Sequence, residues 1–293
     1  MSEISEKRFM PPAATGIVLR VAAVLGMDDD TRAALKRIEE LARVRKTGVA
    51  GRFMPDRGVA ARLAELGVVE EVEAADFFRF RSVAIPYGGV PARNRREWEE
   101  SGQLPEDFTS PQVRRAQVAL GLLKMEGAQP LVIGRHDDPE TLAISGGSAA
   151  VAVLEDTTDT SRLVFAPAFG AVCQTTLSPR RVKWLAQQLR LRWRDARVTF
   201  LDTVAPAMLA REDALERLLI DSDRVIVVGD AGESSCEALA ETASRRSRPA
   251  HIVAGPDELF AIDFLPREKV ALTAGAFATD TAIRAVAAAL VGK

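Results

Sequence analysis

Cysteine and histidine are almost missing from this chain of 293 residues, which has two of each. That excludes a disulfide scaffold and leaves too few soft donors for a His/Cys zinc site. Aromatic residues make up only 5%, with a single tyrosine. No run reaches the roughly 18 apolar residues that a membrane-spanning helix needs. Charge of one sign is missing too: Lys+Arg is 39 against Asp+Glu 41, a formal net charge of −2. A nucleic-acid binder normally carries a basic excess, so that class is set aside. The short basic runs Arg93-Asn94-Arg95-Arg96 and Arg245-Arg246-Ser247-Arg248 read as solvated helix faces. The first residues, Met1 to Arg8, are charged and lack the apolar stretch of a secretory signal. The expectation is a cytoplasmic protein with no nucleic-acid or membrane partner.

What is present is ordinary for a globular protein, 47% hydrophobic and 27% charged residues. Short β-branched runs alternate with amphipathic stretches, which predicts α/β structure with parallel sheets. The expected strands are Gly16–Val21, Ser82–Ile85, Leu131–Gly134, Arg162–Ala166, Ala196–Leu201, Arg224–Gly229, His251–Ala254 and Lys269–Thr273. Ser110-Pro111 and Ser178-Pro179 read as helix starts, an N-cap serine followed by proline at the first helical position. Asp30 and Thr279 are expected to cap helices over 31–44 and 280–291. Residues 1–15, with Pro11-Pro12, read as a loose leader, followed by α/β modules over 16–109, 110–203 and 204–293.

Such units leave loops at strand C-terminal ends, each feeding a helix whose free N–H groups favour anions. The most informative is Val227-Val228-Gly229-Asp230-Ala231-Gly232-Glu233-Ser234-Ser235-Cys236. It is neither a dinucleotide fingerprint nor a P-loop, since the glycine spacing and the Gly-Lys-Ser/Thr are missing.

Five segments in order resemble the 4-hydroxy-3-methylbut-2-enyl diphosphate reductase (IspH/LytB) family. Gln174-Thr175-Thr176-Leu177-Ser178 is similar to its Thr-Gln-Thr-Thr-Leu-Ser stretch, and Thr273-Ala274-Gly275-Ala276 to its late Thr-Ala-Gly-Ala. Val227 to Cys236 resembles Val-Val-Gly-Ser-x-Asn-Ser-Ser-Asn, and Asp107-Phe108-Thr109-Ser110-Pro111 resembles Asp-Ala-Thr-Cys-Pro. Ile133-Gly134 followed by Pro139-Glu140 resembles Ile-Gly-His-x-x-His-Pro-Glu. The resemblance runs from about Gly16 to Val291. It implies three α/β modules in pseudo-threefold arrangement around a central pocket, each giving one cysteine to a 4Fe–4S cluster.

The three cysteine positions of that family fall here on Met27, Ser110 and Ala205. Thiolates hold such clusters as soft anionic donors, whereas a thioether, an alcohol and a methyl do not. The expectation is therefore no cofactor, with the cluster absent. Family histidines near the diphosphate fall about Pro55 and Gly88, and the one near the substrate hydroxyl falls on Asp138. The loop asparagine is matched with Cys236 and a late serine with Phe277. Glu140 keeps the place of the family's proton-relay glutamate, Thr175 and Thr176 keep neighbouring hydroxyls, and Ser234 and Ser235 keep anion-loop donors.

Glu140, Asp138 and Cys236 are accordingly the candidate catalytic groups, and Thr175, Thr176, Ser234, Ser235 and Gly88 the candidate substrate-binding positions. No metal site is expected, although His136 with Asp138 and Cys236 is a conceivable mononuclear set. Bland roles stand beside these: Glu140 as a first-turn acid, Ser110 as an N-cap, Asp138 as a turn residue and both cysteines as buried, inert thiols. The leading expectation is a repurposed, non-redox enzyme using acid/base chemistry on a small anionic or unsaturated metabolite. The alternatives are a non-catalytic binding or partner protein, and a reductase with replaced cluster ligands. A protein partner or a homodimer would suit the basic, Trp-bearing segment 180–194.

Overall fold

A computed structural model describes residues 16–292. The expected leader lies outside the described residues. The chain divides into two compact units, one spanning Met27–Ala210, the other combining the chain up to Gly26 with Arg211 onward.

The Met27–Ala210 unit holds two parallel sheets. The smaller joins β2 (Thr47–Val49), β3 (Ser82–Ile85) and β4 (Glu106–Asp107) in that order. The larger comprises β5 (Gln129–Ile133), β6 (Ala152–Leu154), β7 (Ala168–Cys173) and β8 (Arg197–Phe200), ordered β6-β5-β7-β8. Its helices are α1 (Asp29–Val44), α2 (Arg57–Glu65), α3 (Ala92–Glu100), α4 (Pro111–Met125), α5 (Pro139–Ser145), α6 (Thr157–Arg162) and α7 (Pro179–Arg192). The stripe Val113, Ala116, Leu120 and Leu123 of α4 packs on Val132 of β5 and Val172 of β7, as its spacing predicts.

The other unit holds β1 (Val18–Val21), β9 (Arg224–Val228), β10 (Ala250–Val253) and β11 (Lys269–Ala274), parallel throughout and ordered β1-β11-β9-β10. Residues Val225 to Val228 are fully buried, the unbroken apolar run expected of a parallel strand covered on both faces. Following α8 (Pro206–Leu219), the helices α9 (Ser234–Arg245) and α10 (Asp280–Val291) belong here. Val286 and Leu290 of α10 pack with Val270 and Leu272 of β11. The parallel-sheet α/β class is thus observed, with three sheets among the described residues.

Two expectations need correction. Arg162–Ala166 is not a strand: α6 ends at Arg162, Val164 is 84% exposed, and the strand is β7, six residues later. The apolar run misled because β7 itself, Ala-Phe-Gly-Ala-Val-Cys, is dominated by small residues. Gly170 shows why: a Cβ there would stand 2.7 Å from Leu123 Cβ, so α4 packs directly on the strand backbone. The cap of α1 is Asp28, not Asp30, its carboxylate accepting the Thr31 N–H at 2.8 Å. Ser110 and Thr279 cap α4 and α10 as expected, accepting from Gln112 N and Ala282 N. Ser178 stands at the N-cap of α7 without a side-chain capping bond.

Candidate functional site

In the Met27–Ala210 unit the site is built on the C-terminal ends of β5 and β7. Asp138 caps α5, its carboxylate accepting the Glu140 N–H at 2.9 Å, and Pro139 takes the first helical position. This geometry turns Glu140 inward, where it is buried and accepts the Thr175 N–H at 2.5 Å. The Thr175 carbonyl in turn accepts the Ala205 N–H at 2.9 Å. Gln174 locks the loop further. Its carbonyl oxygen accepts from Arg135 N and Thr141 Oγ1, both at 3.2 Å, while its Nε2 donates to Thr176 Oγ1 at 3.0 Å. Gly134 is required here, since a Cβ would meet Thr141 Oγ1 at 2.4 Å. Gly88 lies against the same helix start, a Cβ there reaching 3.9 Å from Glu140 N.

Glu140, Asp138, Thr175, Thr176 and Gly88 are therefore neighbours in one cluster. Asp138 acts on Glu140 through the backbone, by capping its helix. Gln174 was overlooked as a site residue, although it stands inside the Gln174-Thr175-Thr176 motif. Cys173 is buried and its N–H donates to Thr203 Oγ1 at 2.9 Å. Burial pushes its thiol up to about 12, with Asp202 and Glu140 adding negative charge nearby, so it stays protonated and unreactive. His136 faces Asp159 at 3.1 Å. Among the described residues no group of three or more His, Cys, Asp or Glu is arranged to hold a metal ion.

The second cluster lies in the other unit, at the head of α9. Glu233 is its N-cap, a residue that sequence reasoning passed over. Its buried carboxylate accepts Ser235 N at 2.9 Å, Cys236 N at 3.0 Å and Ser235 Oγ at 2.5 Å. Burial raises its pKa above the ordinary glutamate value. Ser235 Oγ also accepts the Ala276 N–H at 2.7 Å, joining α9 to the turn after β11. Cys236 is buried, with Sγ 3.8 Å from the Val228 carbonyl.

The fold is that of the diphosphate reductases. A solved reductase from Plasmodium falciparum superposes with a TM-score of 0.82, at 19% identity, covering 92% of this chain and 86% of its own. A second solved (E)-4-hydroxy-3-methyl-but-2-enyl diphosphate reductase gives 0.64 at 21% identity, covering 94% and 99%. The family model described as LytB protein matches residues 28–291, and the chain belongs to the LytB family. Relatives called 4-hydroxy-3-methylbut-2-enyl diphosphate reductase include one from Saccharophagus degradans, 28% identical over 78% of this chain and 76% of its own. Those from Symbiobacterium thermophilum and Treponema denticola are 27% and 25% identical, over 81% and 90% of this chain and 83% and 96% of their own.

These relatives overturn the expectation of a repurposed, non-redox enzyme: all three carry the name of a reductase, and nothing in them points to another reaction. No helix among the described residues is long and apolar enough to cross a membrane.

The cluster implied by the family does not fit the side chains at the positions that the resemblance matches with its cysteines. Met27 is a buried thioether, Ala205 has no donor, and Ser110 Oγ accepts the Gln112 N–H at 3.2 Å as the cap of α4. None offers a thiolate.

Proposed function

We propose that this protein recognises the class of ligand its relatives are named for, a short allylic alcohol diphosphate, through the Glu140 cluster. The observation that carries this is the buried Glu140 carboxylate held by the Thr175 N–H, on the segments that carry the family motifs. A buried carboxylate oriented by a backbone donor is suited to accept the hydrogen bond of a ligand hydroxyl. Gln174 and Asp138 position Glu140 and Thr175 rather than touching ligand. At the head of α9 the donors for an anion are already occupied by Glu233, so recognition leans on the hydroxyl end.

Titration calorimetry with 4-hydroxy-3-methylbut-2-enyl diphosphate tests the reading. Saturable binding is expected for the wild type. Glu140→Gln should weaken it at least tenfold, about 1.4 kcal/mol, because a charge-assisted hydrogen bond becomes a neutral one. No saturable binding by folded wild-type protein would refute the reading.

A further inference from the structure

Met27, Ser110 and Ala205 share a structural position. Each stands at a helix start: Met27 just before the Asp28 cap of α1, Ser110 as the cap of α4, and Ala205 immediately before α8. All three lie in the Met27–Ala210 unit. The side chains around them are committed to one another. Thr31 Oγ1 lies 2.6 Å from Asp28 Oδ1, to which it donates, and 3.2 Å from the Tyr87 hydroxyl. That phenol, the only tyrosine of the chain, is also hydrogen-bonded to the Ser110 side chain. The Tyr87 carbonyl accepts the Ser110 N–H at 2.8 Å, and its N–H donates to the Phe53 carbonyl at 3.0 Å. Tyr87 is 7% exposed, so its ring fills protein interior.

The consequence is that Ser110 is engaged three times by its own chain: N–H to Tyr87, Oγ from Gln112 N, and Oγ with the phenol. Asp28, Thr31, Tyr87 and Ser110 form one polar chain linking the segment at Met27 to the segment at Ser110. An iron at Ser110 would have to displace the phenol, which would keep its contact with Thr31 but lose the buried hydrogen bond to Ser110. The connection continues toward Ala205. Arg115 of α4 donates to the Val204 carbonyl at 3.2 Å, and the Ala205 N–H is held by Thr175.

We propose that this protein holds no 4Fe–4S cluster, and that Tyr87 closes the space between positions 27 and 110 with protein hydrogen bonds, so that restoring thiolates alone does not restore a cluster. This inference stands apart from the ligand reading above, because it concerns iron and sulfide rather than the allylic alcohol.

The experiment compares three chains made anaerobically and reconstituted with ferrous iron and sulfide: wild type, M27C/S110C/A205C, and that triple variant carrying Y87A. Iron, acid-labile sulfide and visible absorbance are measured, with circular dichroism to confirm folding. Wild type is expected to hold no more iron than a metal-free control protein. The triple variant should load several-fold less cluster than the variant that also lacks Tyr87. If Y87A does not fold, Y87F in the triple background serves, since it frees position 110 from the phenol while keeping the ring. Near-stoichiometric iron and sulfide in the wild type would overturn the first half. Equal loading of the triple variant with and without Tyr87 would overturn the second.

Discussion

Gly275 offers a measurement of how tightly the head of α9 is packed. Its φ lies outside the left-handed region, so alanine meets no backbone strain and the substitution probes space alone. A Cβ at 275 would stand 2.3 Å from Cys236 Sγ, 2.7 Å from Glu233 Oε2 and 3.1 Å from Ser235 Oγ. The Gly275 backbone cannot retreat easily, because its N–H donates to the Val228 carbonyl at 2.9 Å. Overpacking of this kind costs about 1–3 kcal/mol, and three simultaneous collisions place Gly275→Ala near the upper end. For a chain of this size, that is a fall in melting temperature of roughly 6–10 °C. Cys236→Ala removes the nearest of the three atoms and by itself loses about 1 kcal/mol of buried contact. The double variant should therefore be more stable than the sum of the singles by about 1–2 kcal/mol. Circular dichroism or calorimetry is the appropriate assay, since Trp98, Trp184 and Trp193 all lie in the other unit. Simple additivity, or a neutral Gly275→Ala, would refute the packing argument, and with it the assignment of Cys236 as a thiol held by its surroundings.

Glu233 gives two further expectations. Its raised pKa means that its stabilising contribution is fully present below the ordinary glutamate value and is lost as pH rises through the raised one, so Glu233→Gln should remove that loss from urea melts taken at increasing pH above the ordinary glutamate value. Glu233→Ala vacates the Ser235 and Cys236 N–H groups, and inorganic diphosphate should then bind at least tenfold (about 1.4 kcal/mol) more tightly than to wild type; unchanged affinity by calorimetry would deny those amides a role in holding anions. Asp107 behaves oppositely. Burial pulls its carboxyl upward, but hydrogen bonds from Arg95 and Thr109 win and lower it to about 2. Its contribution is present above the ordinary aspartate value and is lost as pH falls through about 2. Asp107→Asn should cost about 1–2 kcal/mol in a neutral-pH urea melt, after allowance for solvent screening, and should remove the acid-side slope.

Much of the fold was legible because its strands are long apolar runs and its helix starts carry recognisable caps. Arg224–Gly229 read as a buried strand from Val225 to Val228 alone, and Ser110-Pro111 announced α4 by local chemistry. Short strands such as β2 and β4 offered too few residues for any periodicity. The Glu140 cluster was legible because its members sit on motifs. Tyr87 and Glu233 were not. The meaning of Tyr87 comes from Thr31 and Ser110, partners on distant segments that no local pattern connects. Glu233 sits in a glycine- and serine-rich loop, where attention goes to hydroxyls as anion donors. Only its hydrogen bonds from Ser235 N, Cys236 N and Ser235 Oγ show that the chain supplies its own acceptor there.

Four of the helix starts share one feature that bears on what the protein requires from outside. Asp28 satisfies Thr31 N in α1, Ser110 satisfies Gln112 N in α4, Asp138 satisfies Glu140 N in α5, and Glu233 satisfies Ser235 N and Cys236 N in α9. Three of these four acceptors are carboxylates, which also oppose the positive end of the helix dipole. A helix start capped from within already has one or two of its free N–H groups met and so depends less on an external anion. Structural metal sites behave differently: there, binding energy is folding energy, and removing the ion unfolds the protein. The expectation is that exhaustive treatment with an iron chelator leaves the melting temperature of this protein unchanged, measured by calorimetry on anaerobically prepared material. A fall of several degrees after chelation, restored by iron and sulfide, would show that the internal caps do not suffice.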